Sequence, residues 1–126
     1  MKTLLLATTN PGKIQEIKAI LTGIPLRLLS PAEIDLRLTI DEISSSYFGN
    51  AWLKAQIYVN ASGLPALADD SGLEVFALDG KPGVHSHRYS PNAAADDRER
   101  CLYLLKNLKA HPQPWEARFV CAVVLY

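Results

Sequence analysis

Short apolar runs and helical stripes succeed one another along most of this chain. Thr3 to Ala7 is an apolar run that predicts a buried strand, and Ile14, Ile17, Ile20 and Leu21 follow it at helical spacing. Between them Asn10 suits an N-cap and Pro11 the first helical position. Gly23 closes the helix, and Leu26 to Leu29 predicts a second strand that Ser30-Pro31 ends. Strand, helix, strand in that order argues an α/β unit. Ile34, Leu36, Leu38 and Ile40 alternate with Asp35, Arg37 and Thr39, a pattern that an edge strand and an extended loop share.

A second helix is predicted from a cap among Ser44, Ser45 and Ser46 to about Asn60, with Phe48, Trp52, Ala55 and Val59 as its apolar stripe and Gly63 and Pro65 as stop signals. Gly49 is out of place in it. Pro65 to Ala68 and Leu73 to Ala77 predict two strands joined by a tight acidic connection, Asp69-Asp70-Ser71-Gly72. Asp79 to Gly83 is a loop. Asn92 is the expected cap of a third helix with Cys101, Leu104, Leu105 and Leu108 on its inner face. Residues 115–126 hold the unbroken run Phe119 to Tyr126, which reads as a strand with apolar residues on both faces. Nothing after it covers it, so the domain is expected to be incomplete beyond the strand at 117–126, with a second copy supplying the cover.

At 126 residues the chain is long enough for one domain with a core. Its 13 acids balance its 13 bases, which removes the basic footprint of a duplex nucleic acid or membrane-surface binder. Any anionic ligand must be held by local groups, which suits a small molecule. Cys101 and Cys121 read as small buried hydrophobes, and no CxxC or Cys/His metal spacing occurs. Neither a signal-peptide h-region nor a membrane-spanning run is present, so a cytoplasmic protein is expected.

Two stretches could carry chemistry. Asp69 and Asp70 could hold a hard divalent cation through oxygen, or one could bind metal while the other activates water; the same residues also make an ordinary turn. The 8–13 segment, with Thr8, Thr9, Asn10 and Lys13 at a helix N-terminus, could bind phosphate or could simply be a capped helix. It is neither a Walker A loop nor GxGxxG. Lys54 on its own reads as a solvated lysine. His85 and His87 lack a third ligand for zinc, whereas Arg88 suits a phosphate or base contact.

Five motifs in sequence supply more: Ala-Thr-Thr-Asn-Pro-Gly-Lys at 7–13, Asn-Ala-Trp-Leu-Lys-Ala at 50–55, Ala-Asp-Asp-Ser-Gly-Leu at 68–73, Pro-Gly-Val-His-Ser-His-Arg-Tyr-Ser at 82–90 and Ala-Arg-Phe at 117–119. In that order the chain resembles the inosine triphosphate pyrophosphatase family, the Ham1-like house-cleaning enzymes. The resemblance implies an α/β fold with a mixed sheet flanked by helices. It also implies Mg²⁺-dependent hydrolysis of non-standard purine nucleoside triphosphates (ITP, dITP, XTP) to the monophosphate and pyrophosphate. By the same resemblance Thr8, Thr9, Asn10 and Lys13 form the triphosphate loop, and Asn50, Ser71, His87 and Arg88 contact substrate. Asp70, Asp69 and Lys54 are then catalytic, and Glu42 (or Asp41 in its stead) and Asp70 bind the metal. The chain departs from the pattern in two places. Gly49 stands where the family usually has Glu, and the Phe-Gly-Tyr-Asp-Pro and second Ser-His-Arg motifs are absent. The alternative these departures support is a truncated relative that binds nucleotide phosphates or self-associates without turnover.

Overall fold

The computed structural model describes residues 1–126, which divide into two compact units: 1–70 with 122–126, and 71–121. In the first unit β1 (Lys2–Leu6) lies parallel to β2 (Leu26–Leu29), with Lys2 opposite Leu26 and Leu5 opposite Leu29. It is also parallel to the start of β3 (Ala66–Val75), where Leu5 and Leu6 face Ala66 and Leu67. The end of β5 (Ala117–Leu125) takes the other edge of β3; Ala66 and Tyr126 exchange both backbone hydrogen bonds at 2.9 and 3.0 Å, the signature of an antiparallel pair. The mixed sheet expected from the sequence is therefore present.

Helix α1 (Pro11–Ile20) starts as its sequence predicts, with Asn10 capping and Pro11 first. The alternating segment after β2 resolves as a short 3₁₀ turn (Pro31–Ile34) and then extended chain outside any strand. Its residues Ile34, Leu36, Leu38 and Ile40 lie against the core of Leu5, Ala7, Ala51, Ala55, Tyr58, Ala66, Ala68 and Val124. Burial pushes the Tyr58 phenol pKa up. Glu33 locks the turn: its Oε2 accepts from the Ser30 N–H (2.7 Å), the Ser30 hydroxyl (2.8 Å) and Lys18 (3.3 Å). The Ser30 backbone bond, then the hydroxyl and Lys18, hold its carboxyl down at about 2. A depressed folded pKa stabilises above the unfolded value and is lost as pH falls through the folded one. Wild type should therefore melt above Glu33→Gln by a constant margin above about pH 5, and the margin should shrink between about pH 4.5 and 2; a pH-independent margin in thermal melts would refute this.

Helix α2 (Tyr47–Ser62) is capped by Ser46 and closed by Gly63 in a left-handed conformation. Its inner face differs from the expected one. Asn50, Ala51, Ala55 and Tyr58 are buried, whereas Phe48 and Trp52 are exposed and stack at 6.1 Å, with Tyr126 against Trp52 at 5.1 Å. Small alanines allow the helix close approach to the sheet, which leaves the bulky aromatics outside.

In the second unit β3 continues from Ser71 to Val75 and pairs antiparallel with the short β4 (Lys81–Pro82). The predicted acidic turn is therefore wrong: residues 69–72 lie inside one unbroken strand. Gly72 has no positive φ. It is required because a Cβ there would sit 2.2 Å from the Gly83 carbonyl oxygen. Glu74 pairs with Arg118 of β5 at 2.8 Å.

Helix α3 (Asp97–Leu108) begins at an Asp96 cap; the expected cap Asn92 instead accepts from the Ala94 N–H in the preceding loop and donates to Glu99 in the first turn of the helix. Its inner side carries Tyr103, Asn107 and Leu108: Tyr103 meets Tyr89 edge-on at 5.2 Å and Asn107 donates to the Tyr89 hydroxyl at 2.8 Å. That contact turns Cys101 outward. Cys121 is exposed as well, so neither cysteine is the buried hydrophobe expected. On β5, Phe119 and Cys121 are exposed in the second unit, and Val123 and Leu125 in the first.

Candidate active site

The first unit gathers charged groups around one buried carboxylate. Along β3 side chains alternate faces, so Asp70 points the same way as Ala66 and Ala68, and Asp69 the opposite way. Asp70 is only 5% exposed. Burial pushes its carboxyl above the usual range; a hydrogen bond from Asn50 opposes that, the negative charge of Glu42 adds to it, and Lys54 and Lys13 oppose it.

Two ion pairs flank Asp70. Lys13, two residues into α1, reaches Asp69 Oδ2 at 2.7 Å, and Lys54, two turns into α2, reaches Glu42 at 3.1 Å. Lys54 is largely buried by this contact rather than solvated. The other Asp69 oxygen, Oδ1, is buried with no hydrogen-bond partner. Asn10 Oδ1 accepts from the Gly12 and Lys13 N–H groups at 2.9 and 3.2 Å, and the Asn10 N–H donates to Thr8 Oγ1 at 3.2 Å. The 8–13 segment is thus capped by its own side chain, and Thr9 at its tip is exposed.

Asn50 is 1% exposed. The resemblance assigns it to substrate; in the structure its amide bonds Ser44 and Asp70. Nothing in the sequence signals this, because Ser44 and Asp70 become its neighbours only on folding. Gly49 also has a local reason: a Cβ there would lie 2.0 Å from Ser44 Oγ and 2.8 Å from Ser44 Cβ.

The structure brings together Thr8, Asn10, Lys13, Glu42, Asn50, Lys54, Asp69 and Asp70 in the first unit. Ser71, His87 and Arg88 belong to the second. There His87 and Arg88 lie at the end of a 3₁₀ segment (Gly83–Arg88) and line a cavity of about 440 Å³ with Arg100 and the 90–95 loop. No three His, Cys, Asp or Glu side chains cluster tightly enough to cage a metal alone. No helix is long and apolar enough to cross a membrane.

The first unit thus sets a buried aspartate beside two lysine–carboxylate pairs, hard oxygen groups and cationic groups drawn together on a mixed α/β sheet. Residues 4–126 match the model of the Ham1 family, and the chain belongs to that family. A dITP/XTP pyrophosphatase of Thermus thermophilus is 48% identical over 122 residues, covering 96% of this chain and 58% of that protein. The Geobacter sulfurreducens dITP/XTP pyrophosphatase is 45% identical over 126 residues, covering 99% and 63%. A HAM1 protein structure from Coxiella burnetii superposes with a TM-score of 0.87 at 36% identity, over 99% of this chain and 63% of that one. The chain therefore spans about three fifths of the length of these relatives.

Proposed function

We propose that this chain carries the site of a Mg²⁺-dependent pyrophosphatase, which hydrolyses non-standard purine nucleoside triphosphates (ITP, dITP, XTP) to the monophosphate and pyrophosphate. The observation that carries the reading is Asp70, nearly buried between the Glu42–Lys54 and Asp69–Lys13 pairs. The names of the relatives support the substrate class, which goes with a cytoplasmic nucleotide pool.

The residues fit the metal. All available donors are hard oxygens, Asp70 is a desolvated carboxylate that gains from a cation, and Asp69 Oδ1 is a buried acceptor with no partner. Glu42 and Asp70 would hold the ion, with water and phosphate oxygens completing its coordination. Bound there, the ion would screen the negative charge of the triphosphate and polarise the α-phosphoryl group.

The chain's own groups do the rest. Lys13 and Lys54 exchange their carboxylate partners for phosphate oxygens and neutralise charge building on the leaving pyrophosphate. One carboxylate of the Asp69–Asp70 pair orients the attacking water toward phosphorus. Thr8, Thr9 and Asn10 position the phosphates.

The test is pyrophosphate release from ITP, dITP and XTP against ATP and GTP, with Mg²⁺ or with EDTA, beside an Asp70→Ala control. Release that needs Mg²⁺ and Asp70 and favours the deaminated purines supports the reading; release that survives Asp70→Ala sinks it.

One set of observations favours a second reading, a nucleotide-phosphate-binding or self-associating module. Strand β5 has β3 as its only strand partner, and its outer face bears Phe119 at 84% exposure in the second unit and Val123 and Leu125 in the first. A bare apolar strand favours association with another copy. Under this reading calorimetry detects pyrophosphate binding without turnover and light scattering finds a dimer or larger species; a monomer at high concentration counts against it.

A further inference from the structure

We propose that Asn50 is a positioning residue that sets the spacing between Glu42 and Asp70; this rests on the assignment of those two acids to the metal. Asn50 lies in the first turn of α2, one residue beyond Gly49, and makes three hydrogen bonds in two directions. Its Oδ1 accepts from the Ser44 N–H at 2.9 Å, and its Nδ2 donates to the Ser44 carbonyl at 3.3 Å. One side chain therefore grips both polar groups of a single backbone residue, two positions after Glu42. The remaining Nδ2 hydrogen goes to Asp70 Oδ2 at 3.2 Å, on β3.

The amide cannot be turned over. With Oδ1 and Nδ2 exchanged, an N–H would face the Ser44 N–H and an oxygen would face the Asp70 carboxylate. The bond to the Ser44 N–H thus dictates that Asp70 receives a donor. The same clamp explains the otherwise unsuitable glycine in the helix. The Ser44 side chain occupies the space where a Gly49 Cβ would be, and its Oγ accepts from the Ser46 N–H at 3.2 Å. The segment bearing Glu42 is thereby seated on the helix, and the helix is hooked to the strand bearing Asp70.

The clamp has little slack, because an amide left half-satisfied in a buried place is penalised. Two carboxylates of like charge repel and would otherwise move apart. Asn50 opposes that separation through its bonds to Ser44 and Asp70.

The test measures Mn²⁺ binding to the nucleotide-free chain from the loss of the free-ion electron paramagnetic resonance signal. Wild type, Asn50→Leu, Asn50→Ser and Asp70→Asn are compared, each with circular dichroism and a thermal melt to define the folded fraction. We expect both Asn50 variants to bind Mn²⁺ roughly 10–100-fold more weakly per folded molecule, the range seen when a residue supporting a metal ligand is lost. A purely structural role would lower the folded fraction and leave the affinity of the folded molecules unchanged, which overturns the proposal. If Asp70→Asn binds Mn²⁺ as wild type does, or if wild type binds none, the metal assignment fails and the proposal with it. Should neither Asn50 variant fold, the side-chain amide resonances of Asn50 in the wild-type chain decide: a shift on adding Mg²⁺ supports the clamp, and no shift overturns it.

Discussion

Under the proposed function Asp70→Asn is expected to release pyrophosphate roughly 10²–10³-fold more slowly than wild type, and yet to melt at a higher temperature at about pH 7 in EDTA. Both effects come from burial. Asp70 is held in a site where its charge is poorly solvated, so its carboxyl titrates above the usual range. A carboxyl raised in the native state stabilises the fold while protonated, fully below the unfolded value near about 3.9, and that contribution is lost as pH rises through the folded value. At neutral pH the ionised group is thus a burden that a neutral amide of the same shape removes, while still accepting from Asn50. The gain in melting temperature should fade as the pH approaches about 3. A variant less stable than wild type at neutral pH without metal would mean that Lys13, Lys54 and Asn50 more than offset the desolvation.

Gly72→Ala carries the largest expected effect on stability. The added methyl would meet backbone on the far side, 2.2 Å from the Gly83 oxygen and 2.9 Å from its carbonyl carbon, with Ser86 Oγ also at 2.9 Å. Ser86 cannot swing away freely, since it accepts from the Leu73 N–H at 2.8 Å and donates to the Gly83 carbonyl at 2.6 Å. Overpacking of this kind destabilises by about 3 kcal/mol, which at this chain length lowers the melting temperature on the order of 10 °C. Calorimetry or a circular dichroism melt checks it, and a wild-type melting temperature would show that the 83–86 segment can move aside.

The same glycine shows where sequence reading stops. Asp-Asp-Ser-Gly has the composition of a turn, and local chemistry alone assigns it one. What local chemistry misses is the close approach of a segment eleven residues away, where the Gly83 carbonyl leaves room only for a residue without Cβ. A signal was nevertheless present: Ala66, Ala68, Asp70 and Gly72 recur at period two straight through the supposed turn, as small residues on one strand face do. Where start signals were strong and local the reading held, as with the Asn10 cap and Pro11 of α1, the run that became β2, and the serines before α2. Helix faces fared worse. Phe48 and Trp52 are the most apolar choice for an inner face, but closeness to the sheet selected Ala51 and Ala55; in α3, Tyr89 selected Tyr103 and Asn107 over Cys101. The lysine–carboxylate pairs and the Asn50 clamp join positions far apart in sequence. The family motifs marked those residues, and only folding showed what each one touches.

Because Asp69 and Asp70 sit in the middle of a strand and not in a loop, this stretch has no tolerance for a change in length. Gaining or losing one residue between Ala66 and Asp70 would not merely lengthen or shorten a connection. It would reverse the parity of everything beyond it, sending Asp70 to the face that Asp69 now occupies and Asp69 to the face of Asp70. Homologous sequences should therefore vary in residue type here far more readily than in residue number.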